Sequence, residues 1–326
     1  MTNTRTLKTI AALLQERSVT EQTLKNKDSN WRIYVEYCDM YSENPVPADG
    51  ELLVRFTVYL VTQRNCSIPV VKNYLSTVRR YHKQFLNIDV PSPSEYIPLA
   101  ATLKGAAKFL GRRVQQKYPV TAHMLAALVG TLPENSPFRT LYNVLFFGLP
   151  RLGNVIPYSV KKFSTTKHLT WEKVLFCQDG VILNFWVTKT IQCFERELRV
   201  PIAQSYQRPE FCVTSGLQKL RELPGYPKRK NSPVFNVFKG GRWRPMIRND
   251  VVRFMKKQLE FLQLDSQKIT PSGFRKGGLS HGLLCIGNIE LLRVQGDWAS
   301  ECYKRYIQIP AEMRFSVTEQ SLNAMP

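Results

Sequence analysis

The sequence predicts a mainly α protein with a small antiparallel β-sheet in its C-terminal part, divided into two domains. Three observations carry the prediction. Apolar residues recur at helical spacing over most of the chain, the period switches to alternation from His168 to Val200, and helical spacing then returns. With 326 residues, 43% of them hydrophobic, there is material for two ordinary cores.

In chain order, Ser18 or Thr20 caps a helix carrying Trp31, Tyr34, Val35 and Cys38, which Asn44-Pro45-Val46-Pro47 breaks. A second helix starts at Asp49 with Leu53, Phe56 and Leu60. A third starts at Ser67 with Pro69 in its first turn and carries Val71, Tyr74, Leu75, Val78 and Tyr81. Three prolines precede a fourth, Leu99 to Leu110. The stretch Gly111 to Val120 is polar, basic and without an apolar period, so the domain boundary falls there: residues 1–113 form a helical domain and 114–326 a second one.

In the second domain, helices resume at Thr121 and at Ser136-Pro137. Leu169 to Phe176, Val181 to Val187 and a third run ending at Val200 alternate as strands, with Lys189 in or beside the turn between the second and third. Helices return over Cys212 to Leu223, Asp250 to Leu262, and from Phe274 through the closing motif near Tyr306.

The 46 Lys and Arg against 25 Asp and Glu leave a net charge of +21, in short clusters along the whole chain. A polyanion enclosed by the protein suits that distribution better than a tethered one, which makes nucleic acid the first partner to consider and an anionic membrane surface the second. Lys72, Arg79, Arg80, Lys104, Lys108, Arg112 and Arg113 are the DNA-binding candidates of the first domain. Seven cysteines without C-x-x-C or short His/Cys spacing, mostly with apolar flanks, are read as free buried thiols in a reducing compartment. No apolar run has the length of a membrane span.

Four residues at element ends suggest chemistry: Arg151, Lys189, Arg275 and Tyr306. Two guanidiniums can fork onto non-bridging phosphate oxygens, a lysine can protonate a departing 5′ oxygen, and a tyrosine can attack phosphorus, with no metal or other cofactor required. Taken singly, each has a plainer reading. Arg151 can pair with a carboxylate, Lys189 can be an exposed hairpin lysine, Gly277-Gly278 can serve close packing, and Tyr303 and Tyr306 can form one half-buried helical face.

The strings around these residues carry a resemblance. Phe146-Phe147-Gly148-Leu149-Pro150-Arg151-Leu152-Gly153-Asn154, Thr188-Lys189-Thr190-Ile191-Gln192, Ser272-Gly273-Phe274-Arg275-Lys276-Gly277-Gly278 and Gln295-Gly296-Asp297-Trp298 through Tyr306 resemble the successive boxes of the tyrosine recombinase (phage integrase) family. They are most similar to the branch carried by eukaryotic mobile elements of the DIRS, Ngaro and Crypton types. The resemblance covers about residues 120 to 320, and the first four helices match a core-binding domain in kind.

The resemblance implies that Arg151 and Arg275 bind the phosphate, that Lys189 is the lysine of the β-turn, and that Tyr306 is the nucleophile. Ser272, Asp297 and Trp298 complete the implied catalytic set: Ser272 stands where many members have histidine, and Asp297, followed by Trp298, where many have histidine or tryptophan. The Gly-Asp-Trp form is usual for this branch. His281, nine residues after Ser272, is expected to pack or to be solvated. Also implied are a double-stranded DNA partner clamped between two domains and a homotetramer on two DNA sites. The tail after Ile309 is then the candidate for reaching a neighbouring protomer. Neither a membrane nor a small-molecule substrate is expected, and the nucleus is the expected location, with Lys228-Arg229-Lys230 as an import signal. A non-cutting DNA-binding descendant, a type IB topoisomerase-like nicking enzyme and a basic scaffold protein are the alternatives.

Overall fold

The computed structural model describes residues 20–111, 117–307 and residue 319. The chain divides into two compact units, one up to residue 114 and one from residue 115. Ser18, Arg112, Arg113 and, apart from residue 319, the tail after Ile309 lie outside the described residues.

The first unit is helical: α1 (Glu21–Met40), α2 (Gly50–Thr62), α3 (Ile68–Tyr81) and α4 (Ile97–Leu110). Its helix starts follow local chemistry. The Thr20 hydroxyl accepts from Thr23 N at 3.3 Å and the Asp49 carboxylate from Leu52 N at 2.7 Å, satisfying donors that the first turn leaves orphaned. Tyr34, Leu53, Phe56, Leu60, Val71, Val78 and Leu99 are fully buried in one core, each contributing roughly 1.5–3 kcal/mol of burial free energy. A π turn, His82–Leu86, extends α3. The imidazole of His82 faces the Val78 carbonyl at 2.9 Å and accepts from Ala48 N at 3.0 Å, so α3 is tied to the chain entering α2.

The second unit begins with α5 (Ala122–Gly130), α6 (Pro137–Phe147) and a single turn, α7 (Leu152–Val155). Strands β1 (Val174–Cys177), β2 (Gly180–Phe185) and β3 (Leu198–Ala203) form an antiparallel sheet in that order, with Val174 opposite Leu183 and Phe185 opposite Leu198. In β3, Leu198, Val200 and Ile202 face the core and Arg199, Pro201 and Ala203 face outward. Then follow α8 (Val213–Glu222), the hairpin β4 (Asn236–Lys239) and β5 (Arg242–Pro245), α9 (Arg248–Phe261), α10 (Ser272–Ile286) and α11 (Ile289–Gln295). A 3₁₀ turn, Glu301–Arg305, precedes Tyr306.

A buried polar link holds this unit's helices in register. Tyr142 of α6 stacks on Phe274 of α10 at 4.6 Å and donates to the Gln258 side chain of α9 at 2.7 Å. Gln258 in turn donates to Thr131 Oγ1 at 2.8 Å, just beyond α5.

Several expectations are corrected. The first strand run is mostly not strand, because residues 171–173 form a 3₁₀ turn. Residues 186–197 form a loop in place of the start of a third strand: the Glu195 carboxylate accepts from Cys193 N at 2.8 Å, and Phe194 is left-handed at φ +57°. The helix from Phe274 does not run to the motif. It ends at Gly287, at φ +68°, and Asn288 caps α11 by accepting from Glu290 N and Leu291 N. The β4–β5 hairpin was not expected. All seven cysteines are free, but only Cys38 and Cys212 are buried; Cys177, Cys193, Cys285 and Cys302 are exposed, at a strand end, in a loop, near a helix end and in the 3₁₀ turn. Apolar flanks do not bury a thiol where the local element itself lies at the surface. No described helix is long and apolar enough to cross a membrane.

Candidate active site

Three segments of the second unit meet around Arg275. The first is the end of α6, where the chain turns through Leu149, left-handed at φ +54°, into Arg151 at the start of α7. The second is α10, which carries Arg275 in its first turns. The third is the segment from Gly296 to Tyr306.

The approach of α10 depends on missing side chains. A Cβ on Gly277 would lie 1.7 Å from the Val120 carbonyl oxygen, and one on Gly278 would lie 1.9 Å from that of Phe146. Only glycine lets the helix come so close to both backbones. The Gly-Gly pair thus serves close packing, and that packing delivers Arg275.

The Arg275 guanidinium donates from Nη1 to the Leu149 carbonyl at 2.7 Å and from Nη2 to the Gly296 carbonyl. It lies over the Trp298 ring, 4.1 Å from its centre, a cation–π contact in a buried setting. Burial, and then the neighbouring Arg151 charge, pull its pKa down to about 10, against the opposing pull of Tyr306 and Asp297; at neutral pH it stays charged. Two of its five N–H groups are used by those carbonyls, which leaves donors for a further acceptor. The ring of Trp298 folds back on Gly296, where a Cβ would stand 1.8 Å from it, so the Gly-Asp-Trp string is a steric unit.

Asp297 is buried and left-handed, at φ +55°. Its Oδ2 accepts from Thr188 Oγ1 at 3.0 Å and from Thr190 Oγ1, and lies 3.7 Å from Arg151 Nη1; its Oδ1 accepts from Arg196 Nη2. Burial alone would raise its pKa, but the hydrogen bonds from Arg196, Thr190 and Thr188 outweigh it and hold the carboxyl below the usual range. Lys189 is exposed, with its backbone carbonyl accepting from Gln192 Nε2 at 2.9 Å. The structure therefore brings to the site the threonines on either side of Lys189, while the ammonium stands in solvent.

Tyr303 and Tyr306 differ. Tyr303 is buried beneath Arg293, at 5.4 Å, in a small core with Leu149, Leu279, Leu292 and Trp298. Tyr306 is half-buried; its ring centre is 5.9 Å from that of Trp298 and 5.9 Å from Lys276 Nζ. Ser272 is exposed and its hydroxyl is paired with that of Thr270 at 2.9 Å. His281 packs near the Phe146 ring and lies 3.6 Å from the Cys285 sulfur. Among the described residues no group of three or more His, Cys, Asp and Glu side chains is arranged to hold a metal ion.

In the first unit, Lys72, Lys104 and Lys108 are exposed. Arg79 is partly committed to the fold, donating from Nε to the Val90 carbonyl at 3.0 Å, and Arg80 donates to the Gln84 side chain at 2.9 Å. Sequence reasoning missed Arg196 altogether, and it missed the hydroxyls of Thr188 and Thr190. Two threonines flanking the lysine are the one local signal that an anchored turn leaves in the sequence.

No protein-family model matches the sequence, and no curated protein does. Solved structures do match. A lambda integrase dimer (residues 75–356) bound to a COC′ core site is 15% identical with a TM-score of 0.60, covering 94% of this chain and 96% of that one. The Tn1549 transposon integrase in complex with circular intermediate DNA is 12% identical with a TM-score of 0.58, covering 94% and 97%. A lambda integrase tetramer bound to a Holliday junction is 14% identical with a TM-score of 0.60, covering 93% and 76%. The fold is that of the tyrosine recombinases.

Proposed function

We propose that this chain is a site-specific DNA recombinase of a mobile element that breaks and rejoins strands through a 3′-phosphotyrosine. The single observation that carries the reading is the buried, charged Arg275, held beside Arg151 and stacked on Trp298, in the segment that ends in the half-buried Tyr306. The shared fold with DNA-bound integrases supports it.

Arg151 and Arg275 neutralise the non-bridging oxygens, with Trp298 as the platform beneath Arg275. The phenol oxygen of Tyr306 forms a bond to phosphorus and its proton passes to solvent; the bond to the 5′ oxygen breaks, and Lys189 protonates that oxygen. Ser272 donates a hydrogen bond to the phosphate but is a poor proton acceptor. The partner is double-stranded DNA held mainly through phosphates, with a tetramer pairing two sites. The string similarity favours the DIRS, Ngaro and Crypton branch, and hence a nuclear site of action.

A suicide duplex carrying a nick next to the scissile phosphate tests the chemistry. The wild type forms an SDS-resistant adduct, Tyr306→Phe binds but forms none, and Tyr303→Phe still forms it. An adduct kept in Tyr306→Phe and lost in Tyr303→Phe reassigns the nucleophile. One observation favours a second reading, a DNA-binding descendant that no longer cuts: Ser272 is exposed, paired with Thr270, and offers no imidazole. DNA binding without any adduct in the wild type would establish that reading.

A further inference from the structure

Asp297 stands where many members of the resembled family have histidine or tryptophan, and each of its oxygens accepts from donors of this chain. Arg196 holds Oδ1, and Thr188, Thr190 and the more distant Arg151 surround Oδ2. Its side chain is 3% exposed. An ionised carboxylate only accepts, as does a phosphodiester, so Asp297 has no donor to offer one and its charge would repel it.

All three hydrogen-bond donors come from the single loop, residues 186–197, that joins β2 to β3. Thr188 and Thr190 stand immediately before and after Lys189. The turn around that lysine is organised on the first of these hydroxyls: Thr190 N and Ile191 N donate to Thr188 Oγ1 at 3.1 and 3.2 Å, and Thr188 N donates to the Ile191 carbonyl at 2.9 Å. On the other side, Asp297 lies between Gly296, whose carbonyl holds Arg275, and Trp298, whose ring lies under it. One carboxylate therefore links the lysine loop to the arginine pair.

We infer that Asp297 is a positioning residue that locks the Lys189 loop onto the Arg151–Arg275 pair, with Arg196 as its counter-charge. The lysine side chain is exposed, and the lock fixes where the turn that carries it stands relative to the arginines. The inference rests on the strand-cleavage reading for its purpose, and on the hydrogen bonds alone for its mechanics.

Two measurements on the full chain separate these. Amide hydrogen exchange reads the loop directly: in Asp297→Ala and in Arg196→Ala, residues 188–197 exchange faster while β2 and α10 do not change, and Asp297→Asn falls between. Single-turnover cleavage is then compared on nicked duplexes with either oxygen or sulfur at the bridging 5′ position. A thiolate leaves without a proton, so a misplaced Lys189 slows the oxygen substrate by about 10²-fold or more and leaves the sulfur substrate near the wild-type rate. In both reactions the Tyr306 oxygen bonds to phosphorus as the bond to the leaving atom breaks; only the oxygen needs the lysine's proton. Unchanged loop exchange overturns the anchor whatever the cleavage rates are. Equal slowing of both substrates also overturns it, since Asp297 then acts on the arginines and not on the loop. Faster loop exchange in the variants, with no cleavage by the wild type on either substrate, supports the anchor and removes the cleavage reading.

Discussion

Gly278→Ala adds one methyl group at the point where α10 crosses the end of α6. The new Cβ would lie 1.9 Å from the Phe146 carbonyl oxygen and 2.7 Å from Leu149 Cδ2. Leucine can rotate away, but a backbone carbonyl inside a helix cannot. Since Cβ contacts under 3.0 Å are essentially never seen, the two backbones must part by at least 3.0 − 1.9 = 1.1 Å. Overpacking of this kind costs about 1–3 kcal/mol, and a clash with backbone belongs at or beyond the upper end. Alanine returns about 1 kcal/mol through its helix propensity, so the expected net loss is about 2 kcal/mol.

The same movement carries Arg275, three residues earlier on α10, away from the Leu149 carbonyl that it holds at 2.7 Å. A misplacement near 1 Å costs about 10²-fold in rate where geometry is the catalyst, so cleavage falls far more than duplex affinity. Gly105→Ala is the control: it lies within α4 and a Cβ there meets nothing within 4 Å, so the substitution stabilises by about 0.5–1 kcal/mol. Amide exchange in increasing urea reads each unit's stability separately, and single-turnover cleavage reads the site. A Gly278→Ala protein as stable as the wild type, or stabilised like Gly105→Ala, would refute the reasoning.

Lys72→Ala, Lys104→Ala and Lys108→Ala are each expected to flatten the dependence of log K on log[salt] by roughly 0.9 while leaving the melting temperature unchanged, whereas Arg79→Ala also lowers the first unit's stability by about 1 kcal/mol through its lost bond to Val90. Salt titrations of duplex binding beside thermal melts check this, and salt-insensitive wild-type binding counts against phosphate clamping. Lys173 is wholly buried, its Nζ donating to the Thr166 and His168 carbonyls at 2.7 and 2.8 Å above the Trp186 ring, and burial pulls its pKa down to about 8. The unfolded lysine titrates near 10.4, so between these values the unfolded chain binds more protons and folding gains stability as pH rises. Wild type should therefore gain about 1.5 kcal/mol on Lys173→Met between pH 8 and 9.5 in urea unfolding; a difference that stays flat with pH refutes it.

What was legible in the sequence is what short-range chemistry decides. Thr20, Asp49 and Thr121 cap helices because their side-chain oxygens reach a backbone N–H three residues ahead, a relation contained in the local string. The second strand was legible as an apolar run bounded by the Asp179-Gly180 turn, whereas the third, read as ending at Val200, runs from Leu198 to Ala203. The missed β4–β5 hairpin shows where this stops. Its Gly240-Gly241 turn, at φ +59° and +74°, is a clear local signal, but lysine and arginine in the flanking strands hide the alternation of a half-exposed ribbon.

The site divides along the same line. The Arg275 box was readable because its glycines and arginine are adjacent, and the structure gives the reason for the adjacency: glycine permits the approach and arginine three residues before uses it. The role of Asp297 was not readable, because its partners Arg196, Thr190 and Thr188 lie 101, 107 and 109 residues away in the chain. Nothing in the string Gly296-Asp297-Trp298 says which donors will surround the carboxylate. A residue standing in a motif position is thus only half described by the motif: the string fixes its place beside Arg275, and the fold decides whether it faces a ligand or, as here, is spent on holding a loop.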